Sequence, residues 1–145
     1  MNPDDFLTLA TTLAQGKGQA EWRSSISRAY YSAFHAACGL VESIDVTLPL
    51  GASAHQKVTY CLQQSQDSEL AVAGSKLNAF REARNGADYR LKDSQFASKK
   101  SAELYLAIAR QIIVAISTRD ADPEVRRSIR QYARDMLKLQ VRGPD

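Results

Sequence analysis

Apolar residues along this chain recur at three- and four-residue steps, and no segment sustains the apolar–polar alternation of a half-buried strand. Phe6, Leu9 or Ala10, and Leu13 predict a first helix over 3–15, ended by Gly-Lys-Gly at 16–18. Trp22, Ile26, Tyr30, Ala33 and Ala37 predict a second over 19–41. Residues 42–53, around Pro49 and Gly51, read as a loop, and a short helix follows with His55, Val58 and Leu62. A fourth helix over 69–91 has the stripe Leu70, Ala73, Leu77, Phe80, Arg84, Ala87 or Asp88, and Leu91.

A fifth helix fills 94–117. Its apolar stretch 104–116 is cut by Arg110 and Gln111, is too short to span a bilayer, and reads as a buried helix. Asp122 as cap and Pro123 at the first helical position restart the chain. The last helix, to about 141, places Val125, Ile129, Tyr132, Met136 and Leu139 on one side, with Arg126, Arg127, Arg130, Arg134 and Lys138 largely away from it. The pattern predicts an all-α bundle of five to six helices: a helical domain over 1–118 and a basic C-terminal helix, 119–145, packed on it or extending from it.

Composition narrows the function more by exclusion than by assignment. A chain of 145 residues with 44% hydrophobic content builds one core. The net charge of +3 permits a phosphate-bearing partner without demanding one. Cys38 and Cys61 have no metal or redox spacing and read as buried thiols in a reducing compartment. The acidic N-terminus lacks the basic start and apolar run of a signal peptide, so the cytoplasm is the expected location. There is no glycine-rich phosphate loop, no zinc-ligand set and no DNA-reading helix-turn-helix pattern, so no cofactor, metal or sequence-specific DNA site is expected.

The chemistry concentrates in two stretches, SRAYYSAFHAAC at 27–38 and REARNGADYRL at 81–91. Arg84 falls where the fourth helix's stripe asks for a leucine. Arg81, Arg84 and Asp88 are spaced to share a face or edge of that helix. A buried arginine is costly unless paired, and Asp88, one turn on, is the nearest partner, with Arg28 or a symmetry mate able to complete the network. The pair reads equally well as a packing device or as part of a site. Tyr89 offers a donor or a stacking ring rather than a base, since tyrosine ionises only well above neutral pH.

Taken in order, SRAYYSAFHAAC, then SAHQKV at 53–58, then RNGADY at 84–89, resembles the small bacterial and archaeal HEPN proteins, over roughly 19–117. The nearest branch has an AYYxxFHAA…H…RxxADY pattern. The resemblance implies an up-and-down helical bundle that forms a homodimer, with the arginine motifs facing a shared cleft. Active members of that family are metal-independent ribonucleases, often the toxin of a pair with a nucleotidyltransferase-type antitoxin, and use an arginine followed a few residues later by a histidine. In this chain the arginine is Arg84, beside Asn85, and the histidine's place is taken by Tyr89, Arg90 and Leu91.

That departure weakens the catalytic reading. His35 is the local candidate for proton transfer, although its setting among small apolar residues also suits a packed core histidine; His55 reads as a helix-start residue touching the second or fourth helix. With Arg84, Tyr89 and His35 as candidate catalytic groups, RNA contacts are expected from Arg81, Arg84, Asn85, Arg28, Arg130 and Arg134. Asp88, Tyr31 and His55 are expected to orient them. The leading expectation is a dimeric module that binds RNA, a nucleotide or a protein without efficient cleavage; the alternatives are a metal-independent endoribonuclease and a structural adaptor.

Overall fold

A computed structural model describes residues 1–144 and shows an all-helical bundle of six α-helices. They are α1 (Asp4–Ala14), α2 (Gln19–Ser43), α3 (Ala52–Gln63), α4 (Ser68–Tyr89), α5 (Lys99–Arg119) and α6 (Pro123–Asp135). A single 3-10 turn, Ser94–Phe96, precedes α5. α2 lies at the centre and packs against α1, α4 and α5, while α3 packs on α4 and is covered in turn by α6.

Helix starts follow cap chemistry. Asp67 accepts from the Leu70 N–H at the start of α4, Ser98 from Ser101 at α5, and Asp122 from Glu124 and Val125 at α6. The expected continuous fifth helix from 94 is therefore two elements. Asp93 caps the short turn and Ser98 caps a fresh helix, so the chain changes direction between them.

The core is built from Ile26, Tyr30, Leu62, Leu70, Leu77, Phe80, Ile112 and Ile129, all essentially inaccessible. α4 departs from its predicted stripe. Below Phe80 it buries Leu70, Ala73 and Leu77; above it, Ala83, Gly86 and Ala87. The buried face thus drifts past Arg84 and Asp88, which lie at its border, and Leu91 lies beyond the helix and is exposed.

Gly86 is required by packing: a Cβ there would meet Phe96 Cε2 at 2.2 Å. Gly86→Ala is expected to lower stability by roughly 1–3 kcal/mol, as overpacked core sites do, rather than gain helix propensity. Urea unfolding reads the sign directly.

The C-terminal segment differs from expectation. α6 stops at Asp135, Lys138 turns the chain with φ 57°, and residues 140–142 run as an extended strap against the α2–α3 connection. Val141 bridges Val46, the Thr47 N–H donates to the Gln140 carbonyl, and the Arg142 N–H donates to the Asp45 carbonyl. α5 also corrects a reading. At 21 residues it is long and apolar enough, by length and composition, to cross a bilayer, whereas its apolar stretch looked too short. Here its Ala102, Leu106, Ala109, Ile112 and Ile116 are buried against the bundle.

Candidate functional site

α2 carries the aromatic run Tyr30, Tyr31, Phe34 and His35, and its helical spacing divides that run between two depths. Tyr30 and Phe34, one turn apart, point into the bundle; Tyr31 and His35, also one turn apart, reach its surface. α3 begins beside them, so the His55 ring stacks on Phe34 at 4.1 Å and on Tyr30 at 5.6 Å. α1 contributes Phe6, stacked on His35 at 5.6 Å.

The arginines stand over this aromatic floor. The Arg28 guanidinium lies 5.3 Å from the Phe6 ring centre and 5.1 Å from that of Tyr31. Arg84 lies 5.2 Å from the Tyr31 ring centre and 5.5 Å from that of Tyr89, a residue 72% exposed. A cation–π contact engages the face of a guanidinium and does not itself use an N–H donor. Arg84 Nη1 donates to Asn85 Oδ1, and its Nε sits 3.0 Å from Asp88 Oδ2 in an ion contact too poorly aligned to be a hydrogen bond. The residue completing the Asp88 network is Ser27, whose hydroxyl donates to the same Oδ2 at 3.0 Å; Arg28 is turned to the aromatic rings instead.

His55 is held in one protonation state. Burial pushes the Tyr30 hydroxyl well above the ordinary tyrosine range, so it keeps its proton. Its hydrogen-bond partner among the described residues is His55 Nδ1, at 2.5 Å. A hydroxyl that must donate makes Nδ1 the acceptor and leaves the ring proton on Nε2. Burial first, then the charges of Arg81, Arg84 and His35, lower the His55 pKa to about 4. At neutral pH His55 is a neutral, fixed donor, neither a base nor an acid.

The sign of the linkage is set by that depression. Between pH 6.5 and about 4 the unfolded chain takes up a proton that the folded His55 refuses. The stabilisation is present above pH 6.5 and is lost as pH falls through about 4. Because the ring is partly solvated, the loss is expected to be on the order of 1 kcal/mol. Denaturation at pH 7 and pH 4.5 should show this extra loss relative to Tyr30→Phe/His55→Phe, which keeps the rings and removes the titration.

Both histidines also line a cavity of about 550 Å³ between α2 and the α2–α3 connection, with Phe34, Cys38, Leu48 and Pro49. Cys38 is no nucleophile there, since burial and the nearby Glu42 push its thiol up to about 12. A depression of similar size, about 570 Å³, lies on the outer faces of α4 and α5 around Val72 and Val114; no histidine or aromatic ring lines it.

The structure gathers Arg28, Tyr31, His35, His55, Arg81, Arg84, Asn85, Asp88 and Tyr89 about α2, α3 and the second half of α4. It does not bring Arg130 and Arg134 to them. Arg130 is buried, against the expectation that it faces away from the packed stripe. Its Nη1 donates to the Ile44 carbonyl and its Nη2 to those of Gly143 and Pro144, fastening the strap. Arg134 lies on α6 beside Asp135.

Sequence reasoning missed Arg23. It is 94% buried and its Nη1 and Nη2 donate to the carbonyls of Gly86, Ala87, Arg90, Leu91 and Asp93. It closes the C-terminal end of α4 and so sets where Asp88 and Tyr89 stand. The signal was present: Arg23 is three residues before Ile26 and seven before Tyr30, on the buried stripe of α2. No family model matches this chain, and no curated protein and no solved structure matches it.

Proposed function

We propose that this protein binds single-stranded RNA and does not cleave it efficiently. The observation that carries the reading is the surface row Arg28–Tyr31–Arg84–Tyr89, in which guanidiniums lie over tyrosine rings, a contact that uses their faces and not their N–H groups; Arg84 gives Nη1 to Asn85 and Nε to Asp88, which leaves Nη2 for a phosphate oxygen. Arginines that neutralise phosphates, interleaved with rings that stack on unpaired bases, are what a flexible single strand needs and a duplex does not. Asp88 is the acid within this row and is occupied by Ser27 and Arg84.

Binding without cleavage follows from the imidazoles. Attack by a 2′-OH needs a group to take its proton and another to protonate the leaving oxygen. His55 supplies a fixed Nε2 proton and no base. His35 is the imidazole left as a proton carrier, its ring stacked on Phe6 at the bundle's surface; it is the observation favouring metal-independent ribonuclease activity as the second reading. The homodimer implied by the HEPN resemblance belongs to the same proposal, since pairing would bring two such rows to one cleft.

The test is fluorescence anisotropy with a short unstructured RNA in EDTA, across a potassium chloride series. Arg28 and Arg84 of the row, with Arg81 one turn before Arg84, each engaging one phosphate, predict a slope of log affinity on log salt of about −2, from ~0.7 per phosphate on a single strand. A flat salt dependence would remove the proposal.

A further inference from the structure

An apolar surface of the bundle is left without a cover. α5 is apolar enough by composition to cross a bilayer, yet only 28% of that apolar window is buried in the bundle. A helix that is apolar beyond its core stripe has a second face to cover. The inward stripe of α5, from Ala102 to Ile116, fills the core. Its outward stripe runs Leu104, Ala107, Gln111, Val114 and Thr118 at three- and four-residue steps, and each of these is exposed.

α4 runs antiparallel beside it and widens the surface into a groove. Arg119 pairs with Asp67 and Glu69 at one end, Lys76 reaches Gln111 in the middle, and the Phe80 ring meets Tyr105 farther on. Along these ties lies the depression of about 570 Å³ around Val72 and Val114, and one of about 420 Å³ continues it past Ser75 to Ala79. Val72, Leu104 and Val114 are each more than half exposed, and Ala71, Ser75 and Ala115 near them are small. Larger apolar side chains standing among small ones give the ridges and hollows into which another helix packs.

The charge at the groove is positive. Lys76 Nζ donates to the neutral Gln111 Oε1 at 2.8 Å and Arg110 Nη2 to the Thr11 hydroxyl at 3.3 Å, so neither cation is paired with a carboxylate among the described residues. Glu69, at the groove's end, is matched by Arg119. A second copy laid on this face by a two-fold axis would set its own Lys76 and Arg110 against the same groove, like charge facing like. A nucleic acid strand has the right charge, but its bases stack on rings and this groove has none. What answers both features is a helix with apolar residues at i, i+3, i+4 and i+7 and carboxylates on its flanks.

We propose that the α4–α5 groove docks an acidic amphipathic helix of a partner protein, its apolar face on Val72, Leu104 and Val114 and its carboxylates at Lys76 and Arg110. Ser75 and Arg84 are separated by about two and a half turns of α4, so the groove and the arginine row lie on opposite sides of that helix. RNA and a partner helix are held at once, and the failure of one leaves the other standing.

The experiment titrates the full, isotope-labelled chain with two synthetic peptides of about five helical turns. Both have leucines at i, i+3, i+4 and i+7; one carries glutamates on its flanks and the other lysines. Amide resonances locate the contact and calorimetry gives the affinity. The glutamate peptide is expected to bind at least about tenfold more tightly than the lysine peptide. It should shift amides around Val72 and Val114 while those around Arg84 and Tyr89 stay in place. Lys76→Glu/Arg110→Glu is expected to reverse the preference. Val72→Ser/Val114→Ser is expected to weaken the glutamate peptide at least about tenfold with RNA affinity unchanged.

Absence of binding, equal affinity for the two peptides, or shifts confined to other parts of the bundle would overturn the docking site on the wild-type chain alone, whether or not RNA binds. Self-association in the ultracentrifuge that Val72→Ser/Val114→Ser disperses would also overturn it, since a second copy would then cover the face. Flotation with phosphatidylglycerol vesicles that the same variant loses would do so as well, by giving the face to a lipid surface.

Discussion

Replacing Arg23 with alanine is expected to remove about 3 kcal/mol of stability, the scale of stranding a buried charge network or several buried carbonyls. Five backbone carbonyls at the end of α4 and in the turn after it accept from its Nη1 and Nη2. They have the negative end of a helix behind them, so a cation there is favoured by the helix dipole as well. Arg23→Lys should recover only a part, because an ammonium places three donors about one point and cannot reach from Gly86 to Asp93 as a planar fork does. In a thermal melt the alanine loss corresponds to roughly 6–12 °C for a chain of this size. A change below about 1 kcal/mol would show that water reaches those carbonyls in the variant and that the clamp is dispensable.

The effect should extend to the site. Asp88 and Tyr89 occupy the last turn of α4, which Arg23 closes. Under conditions where Arg23→Ala is still folded, weaker RNA binding is expected with no change of charge on the binding surface.

The second large effect belongs to the arginines. Arg81→Ala/Arg84→Ala is expected to weaken RNA binding about 100-fold, taking each charge-assisted phosphate contact as worth ~1.5 kcal/mol. Its salt slope should fall by about 1.4 as two phosphate contacts are lost. Asp88→Asn separates this account from one in which Arg84 and Asp88 merely brace the helix. The amide keeps an acceptor for Ser27, and removing the carboxylate frees Arg84 for phosphate, so RNA should bind more tightly. A brace would lose stability and gain no affinity. Loss of affinity in Asp88→Asn with normal stability would contradict the assigned roles.

The helical fold was legible because the apolar spacing of α1 and α6 is strong and the breaks carry cap residues such as Asp67 and Asp122. The segment 94–98 was misread as helix because apolar spacing carries across a change of direction; Asp93 and Ser98, both cap types, mark the break. Arg84 stood out in sequence because it interrupts a stripe, yet the stripe drifts by a residue and Arg84 sits beside the core rather than in it.

Arg23 and Arg130 escaped notice for a different reason. Arg23 stands on the stripe of α2 that its spacing marks, but what it binds is not marked there: the partners of both arginines are carbonyls distant in sequence, 63 residues away or more for Arg23, and at Ile44 for Arg130. His55 was legible as a residue touching α2, but its neutrality was not, because that depends on Tyr30, buried by tertiary packing, and on charges borne by α4. No periodicity encodes such a meeting.

The central claim is that the arginine–tyrosine row holds RNA that the protein leaves intact. The most direct test incubates wild-type and Arg84→Ala protein with a 5′-labelled unstructured RNA in EDTA, and reads binding by anisotropy and the strand's length on a gel from the same samples. The account predicts bound, full-length RNA with wild-type protein and affinity weakened about tenfold in the variant, as the loss of one phosphate contact requires. Equal binding by both proteins, or cleavage to cyclic-phosphate ends that disappears in Arg84→Ala, would contradict it.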